Sequence, residues 1–212
     1  MSALIYVVTE ESISIYTDTL VVNELGEELG HTSKALYLSH LNAIICGTGI
    51  AGLADKLFLQ ANASLLKNLV DLTRLAGEFL PRIWMEDFNL SGIESAHISS
   101  TVYLFGFDPE SNTPLAFAHR STNGFESEQI AKVLPITGLK PTDGFDEVLQ
   151  VESDDDATYT MLRQMMSQAT LPKDRRVYIG GDMLKFQLMP YGLIANKTIS
   201  LDEMMKQLQS KL

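Results

Sequence analysis

Three side chains and one turn near the start of the chain can be combined into a hydrolytic site that needs no histidine. Ser2 follows the initiator position, Asp18 lies 16 residues after Ser2, and Lys34 lies 32 residues after it. A glycine-rich turn, Gly47-Thr48-Gly49-Ile50-Ala51-Gly52, comes next. If Met1 is removed, Ser2 carries a hydroxyl and a free α-amine on one residue. A free α-amine has a pKa near ~7.7, so nucleophile and general base then coexist at neutral pH. Lys34, oriented by Asp18, would hold positive charge beside the hydroxyl and favour its deprotonation. Backbone N–H groups of Thr48 and Gly49, at the start of a helix, suit a developing oxyanion. Each residue also has an ordinary reading: Ser2 as an exposed terminus, Asp18 as a turn cap, Lys34 as a solvated strand end.

Strands must position these residues. Ala3-Leu4-Ile5-Tyr6-Val7-Val8 is a continuous apolar run, the pattern of a strand covered on both faces. After the polar tip Glu10-Glu11, Ser12 to Thr17 alternates, with Ile13 and Ile15 on one face. Folding back at that tip sets Ser2 opposite Thr19 and Asp18 beside Ala3. A polar stretch from Asn23 to Ser33 separates this hairpin from strands expected at Lys34 to Leu38 and Asn42 to Cys46.

Beyond the glycine turn, apolar spacing predicts helices over Ile50 to Ala63 and Ser64 to Leu80, with Pro81 bending or ending the second. Ser99 to Phe107 and Thr113 to His119 read as a hairpin turned at 108–112, followed by a loop-rich section from Asn123 to Gly144. Asp154-Asp155-Asp156 opens a helix through Thr170, with acids at the positive end of its dipole rather than around a metal. Arg176 to Ile179 and Met183 to Met189 are strand candidates around Gly180-Gly181, and Ser200 begins a terminal helix to Leu212 with a capping-box pattern. Strands, two helices, strands, helix, strands and a last helix, with doubly apolar strands, predict an α/β (α+β) chain. The expected arrangement is a four-layer αββα sandwich of two antiparallel sheets in a single domain, residues 1–212.

Gly47 to Gly52 is literally G-x-G-x-x-G, the pattern of a dinucleotide site. Its context argues otherwise, because a dinucleotide unit returns to a parallel strand that ends in an acid, and here the next forty residues are helical. Formal net charge is −11, which disfavours a nucleic-acid partner that relies on neutralising phosphates. One cysteine, Cys46, excludes an internal disulfide and reads as a buried thiol; the four histidines are scattered without metal-ligand spacing, so no metal or cofactor is expected. The first apolar run is too short for a signal or membrane segment, which makes a cytoplasmic location the expectation and leaves no membrane partner.

At Ser2, Asp18 and Lys34 the chain resembles the proteasome-type N-terminal-nucleophile (Ntn) hydrolases, comprising proteasome β-subunits and a simpler bacterial ATP-dependent peptidase. That family places Asp 16 and Lys 32 residues after an N-terminal Thr, and Ala43 to Gly49 resembles its strand into the oxyanion glycine. The resemblance implies an Ntn-hydrolase-like fold and a peptidase-like amide-bond hydrolase acting on a peptide or amide substrate. It implies Ser2 as nucleophile, Asp18 and Lys34 as its support, and Gly49, with Thr48 as alternative, as oxyanion donor. It also implies a homo-oligomer. The chain departs from the family in having Ser for Thr, and Arg176 and Ile179 where the family supports its N-terminus with Asp and Ser. Those departures, with a retained Met1, favour the alternative of a non-catalytic proteasome-like assembly subunit.

Overall fold

The computed structural model describes residues 3–23, 25–88, 99–142, 151–173 and 175–209. Ser2, with Met1, lies outside them, as do the last three residues of the expected terminal helix. Two five-stranded sheets, each antiparallel throughout, form the body of the molecule. In chain order the strands are β1 (Leu4–Val8), β2 (Ile13–Asp18), β3 (Leu20–Val22), β4 (Glu28–His31), β5 (Ala35–Leu38), β6 (Ala43–Thr48), β7 (Thr101–Phe107), β8 (Pro114–Arg120), β9 (Ser127–Gln129), β10 (Ile136–Lys140), β11 (Asp182–Met189) and β12 (Gly192–Ser200). The first sheet runs β10-β1-β2-β11-β12 and the second β5-β6-β7-β8-β9, while β3 and β4 pair only with each other.

Three apolar layers hold four structural layers together. Between the sheets lie Leu4, Val8, Ile13, Ile15, Ile44 and Phe105. The outer face of the second sheet, with Ile45, Val102 and Leu104, is covered by α1 (Leu53–Asn62) and α2 (Leu69–Ile83). On the outer face of the first sheet, Ala3, Ile5 and Tyr16 pack with α3 (Asp154–Ala169) and α4 (Leu201–Gln209). Ile44 and Ile45 point to opposite layers because strand side chains alternate, and both are fully buried. That double burial explains the unbroken apolar run.

The β1–β2 register runs from Leu4 opposite Thr17 to Val8 opposite Ile13, the pairing expected from a turn at Glu10-Glu11. Several element boundaries differ from the sequence reading. α1 starts at Leu53, not Ile50, because Gly49 and Gly52 both take positive φ, +100° and +88°, which a helix does not contain. α2 starts at Leu69, where the Asn68 side chain accepts from the Asp71 N–H, and continues past Pro81 before widening into a single wide turn over Trp84–Phe88. The polar stretch after Asn23 and the loop-rich section contain β4, β9 and β10, which lie at edges or in a two-stranded ribbon. Their residues are half-buried or exposed, so they show no apolar alternation. Arg176 to Ile179 is not a strand, since the Val177 N–H donates to the Gln168 side chain on α3 rather than to a sheet neighbour. β12 carries Asn196 and Lys197 outward and completes the first sheet.

Candidate active site

Asp18 ends β2, the middle strand of the first sheet, and is completely buried. Such a carboxylate is costly unless every oxygen is satisfied. Its Oδ1 accepts from Lys34 Nζ at 2.8 Å and from the Ala3 N–H at 2.9 Å, and its Oδ2 accepts from the Gly180 N–H at 3.3 Å. Ala3 N belongs to the peptide bond that joins Ser2 to the chain. One carboxylate oxygen therefore holds both the lysine ammonium and the first peptide of the N-terminal strand.

Lys34 reaches the pair from the start of the second sheet, one residue before β5, and its side chain is only 9% exposed. The reading of Lys34 as a solvated strand end and that of Asp18 as a turn cap are both excluded by this burial. Desolvation pushes the Asp18 carboxyl above its usual range, opposed by the Lys34 charge and hydrogen bond and by the two backbone donors. Desolvation likewise pulls the Lys34 ammonium below its usual value, opposed by Asp18. Both directions have one cause, the withdrawal of the pair from water, and each is opposed by the other partner's charge.

Gly49 follows β6 with φ +100°, and a Cβ built there would lie 2.3 Å from the Ser99 carbonyl oxygen and 2.5 Å from Ser100 Oγ. Only glycine fits. Of the neighbouring amides, Ile50 N–H already donates to Ser100 Oγ at 2.8 Å, which leaves Gly49 as the donor candidate in the turn. Thr48 pairs opposite Thr101 and is outside the lining of the adjacent cleft, whereas Gly47 and Gly49 line it. Gly49→Ala is expected to destabilise the fold by about 1–3 kcal/mol and to distort this turn; a thermal melt indistinguishable from wild type would contradict that geometry.

The cleft itself has a volume of about 80 Å³ and is walled by Leu20, Val22, Leu36, Ile50 and Ala54, with Lys34 in its lining. A larger groove of about 840 Å³ lies between α3, β12 and α4, and none of Asp18, Lys34 or Gly49 lines it. Of the two, only the small cleft is lined by Lys34 and Gly49. Cys46 is fully buried in β6, and burial pushes its thiol pKa up, so it offers no thiolate. Among the described residues, no group of three or more His, Cys, Asp or Glu side chains is placed to hold a metal ion.

Antiparallel pairing of β6 on both sides removes the setting that Gly47 to Gly52 would need as a dinucleotide loop. No family model and no curated protein matches the chain. Among solved structures it is similar to Anbu, a (Gly-1) mutant from Hyphomicrobium sp. strain MC1, with a TM-score of 0.64 and 12% identity over 100% of this chain and 98% of the other. The fold is an Ntn-hydrolase-like four-layer αββα sandwich. At this identity the likeness establishes architecture alone, and the chemistry must be argued from the residues of this chain. In this Ntn-like fold the Arg176 guanidinium donates to the Ala169 and Leu171 carbonyls at the end of α3, and the Ile179 side chain is buried among apolar groups that include Ala3, so neither side chain offers Asp18 a polar partner. The partners that sequence reasoning missed are Gly180, whose N–H completes the Asp18 shell, and Thr19, whose Oγ1 accepts from the Asp182 N–H. The paired glycines before β11 are the visible signal for the first. For Thr19 the only signal is the hairpin register, which sets it opposite Ser2. Among the described residues, no helix is long and apolar enough to cross a membrane.

Proposed function

We propose that this chain is an amide-bond hydrolase, peptidase-like, that uses Ser2 once Met1 has been removed. The observation that carries the reading is the shared Oδ1 of Asp18, which ties Lys34 Nζ to the peptide directly after Ser2. In this reading the Ser2 hydroxyl attacks the substrate carbonyl and passes its proton to the Ser2 amine. Lys34 stabilises the developing alkoxide, and the Gly49 N–H receives the carbonyl oxygen as it gains charge. The protonated amine then donates to the departing amine, leaving an acyl ester on Ser2, which water attacks with the same amine as base. The narrow aliphatic cleft suits a small branched or straight aliphatic side chain on the acyl part of the substrate.

The test uses untagged full-length protein made in cells. Its intact mass should lack Met1, and a β-lactone or epoxyketone with a small aliphatic side chain should add to Ser2. The epoxyketone is the stricter probe, because its ring closure needs a hydroxyl and a free amine on one residue. Ser2→Ala should abolish the adduct, and a chain that keeps Met1 should be inert, since an amide nitrogen is not a base. Protein with a free Ser2 that takes up neither probe sinks the proposal.

A second reading, a non-catalytic assembly subunit, is favoured by Arg176, which serves the end of α3 instead of the N-terminus. Either reading includes self-association through the outer helices. Tyr159 and Met166 stand on one face of α3, 63% and 50% exposed, an apolar pair that a second copy would cover. Light scattering should report a homo-oligomer, and a strict monomer at high concentration would count against this part of the proposal.

A further inference from the structure

The backbone of Gly180 and Gly181 touches Asp18 on one side and α4 on the other. Gly180 N–H donates to Asp18 Oδ2, and the Gly180 carbonyl accepts from the N–H groups of Thr19 and Leu20 at 3.3 and 3.1 Å. Gly181 N–H donates to Asp202 Oδ2 at 3.1 Å, and the Gly181 carbonyl accepts from the Leu201 N–H at 2.8 Å. Every polar atom of the two glycines is thus assigned a partner, two of them from the first turn of α4. Neither glycine can be replaced freely. A Cβ on Gly180 would lie 3.0 Å from Asp202 Oδ1, and one on Gly181, at φ +73°, would lie 2.5 Å from both His31 Nδ1 and Thr19 Oγ1.

We propose that Asp202 is a positioning residue for the Asp18–Lys34 pair, acting through the Gly180–Gly181 backbone, so that docking of α4 sets the geometry of the site. The proposal rests on the reading that this pair serves the Ser2 hydroxyl. Asp202 fixes the Gly181 amide, which fixes the orientation of the preceding peptide plane and the aim of the Gly180 N–H at Asp18. Lose that aim, and Asp18 Oδ2 is a buried oxygen without a donor, which moves the carboxylate and the lysine it holds. Asp202 is outside the lining of the small cleft, so its effect on the site runs through the two glycines.

The experiment compares full-length wild type, Asp202→Ala and Asp202→Asn by two readouts. The first is β-lactone adduct rate as a function of pH; the second is hydrogen exchange of the Gly180 amide. Asp202→Ala should slow the adduct at least tenfold, displace the pH profile, and speed Gly180 exchange at least tenfold. Asp202→Asn keeps an acceptor oxygen at the same place and should restore both readouts to within about threefold of wild type. If Asp202→Ala does not fold, Asp202→Glu, which carries the acceptor one methylene further out, takes its place with the same expectation. A wild-type pH profile and wild-type Gly180 exchange in the folded variant overturn the proposal. A wild type that forms no adduct refutes the hydrolase reading instead, and Gly180 exchange then still decides whether Asp202 holds the turn.

Discussion

Lys34→Ala, in protein with a free Ser2, is expected to slow covalent labelling by about 10²–10³-fold, the range seen when one preorganised charge or donor is taken from a transition state. The ammonium is 2.8 Å from Asp18 Oδ1, and no other Lys or Arg is ion-paired to Asp18 among the described residues, so no neighbour replaces it. The variant should also change how stability depends on pH. Burial already raises the Asp18 pKa, and Lys34 supplies its two largest opposing influences. Without them the folded-state pKa climbs further above the ordinary value of 3.8. Between those two values the folded state holds the proton and the unfolded state does not, so stability is greatest at low pH and is lost as pH rises through the folded pKa. Urea midpoints measured from about pH 4 to about pH 8 should therefore fall more steeply in Lys34→Ala than in wild type. A flat difference between the two proteins would mean that Asp18 is not the group under strain.

Asp18→Ala should be the most damaging single change for the fold, at about 3–5 kcal/mol, because it leaves a buried lysine without its counter-ion. The N–H groups of Ala3 and Gly180 lose their acceptor at the same time. Here the sign of the pH dependence reverses. Burial lowers the Lys34 pKa and Asp18 supplies everything that opposes it, so the variant's folded-state pKa drops further below 10.5. Between those values the unfolded state holds the proton, and stability rises with pH. Thermal melts across neutral to alkaline pH check this: Asp18→Ala should gain more stability as pH rises than wild type does, recovering part of its loss. Opposite slopes in the two variants would separate a coupled buried pair from two independent surface residues.

Much of the site was legible because strand pairing converts sequence distance into spatial neighbourhood. The apolar run at 3–8, the alternation at 13–17 and the polar tip between them define a register, and that register alone brings Asp18 to Ala3. Lys34 was legible as a charge at the head of an apolar strand. What could not be read is whatever arrives from far along the chain. Gly180 reaches Asp18 across 162 residues, and only the tertiary fold brings them together. Asp202 offered only a helix-start signal, which it honours while also binding Gly181. The missed strands share a different cause. β4, β9, β10 and β12 lie at edges or in a ribbon, where exposure erases the periodicity on which strand assignment depends. The start of α1 moved for a third reason, since Gly49 and Gly52 take backbone conformations that apolar spacing cannot report.

The interior position of β11, between β2 and β12, has a kinetic consequence. β2 is flanked in the first sheet by β1, its neighbour in sequence, and by β11, which pairs Met183 with Asp18 and Leu188 with Ile13. During synthesis the hairpin of β1 and β2 emerges early, yet one of its long edges stays open until the chain has been made through β11. Closing so distant a pair is slow, since loop-closure entropy precedes any reward from the contact. A ribosome-bound chain stopped before Asp182 should carry Asp18 and Lys34 and still lack the edge that seals them from water. Such a chain is also the state in which an exposed strand edge invites the wrong partner. Chemistry at the beginning of this polypeptide is therefore expected to switch on only when its end has folded.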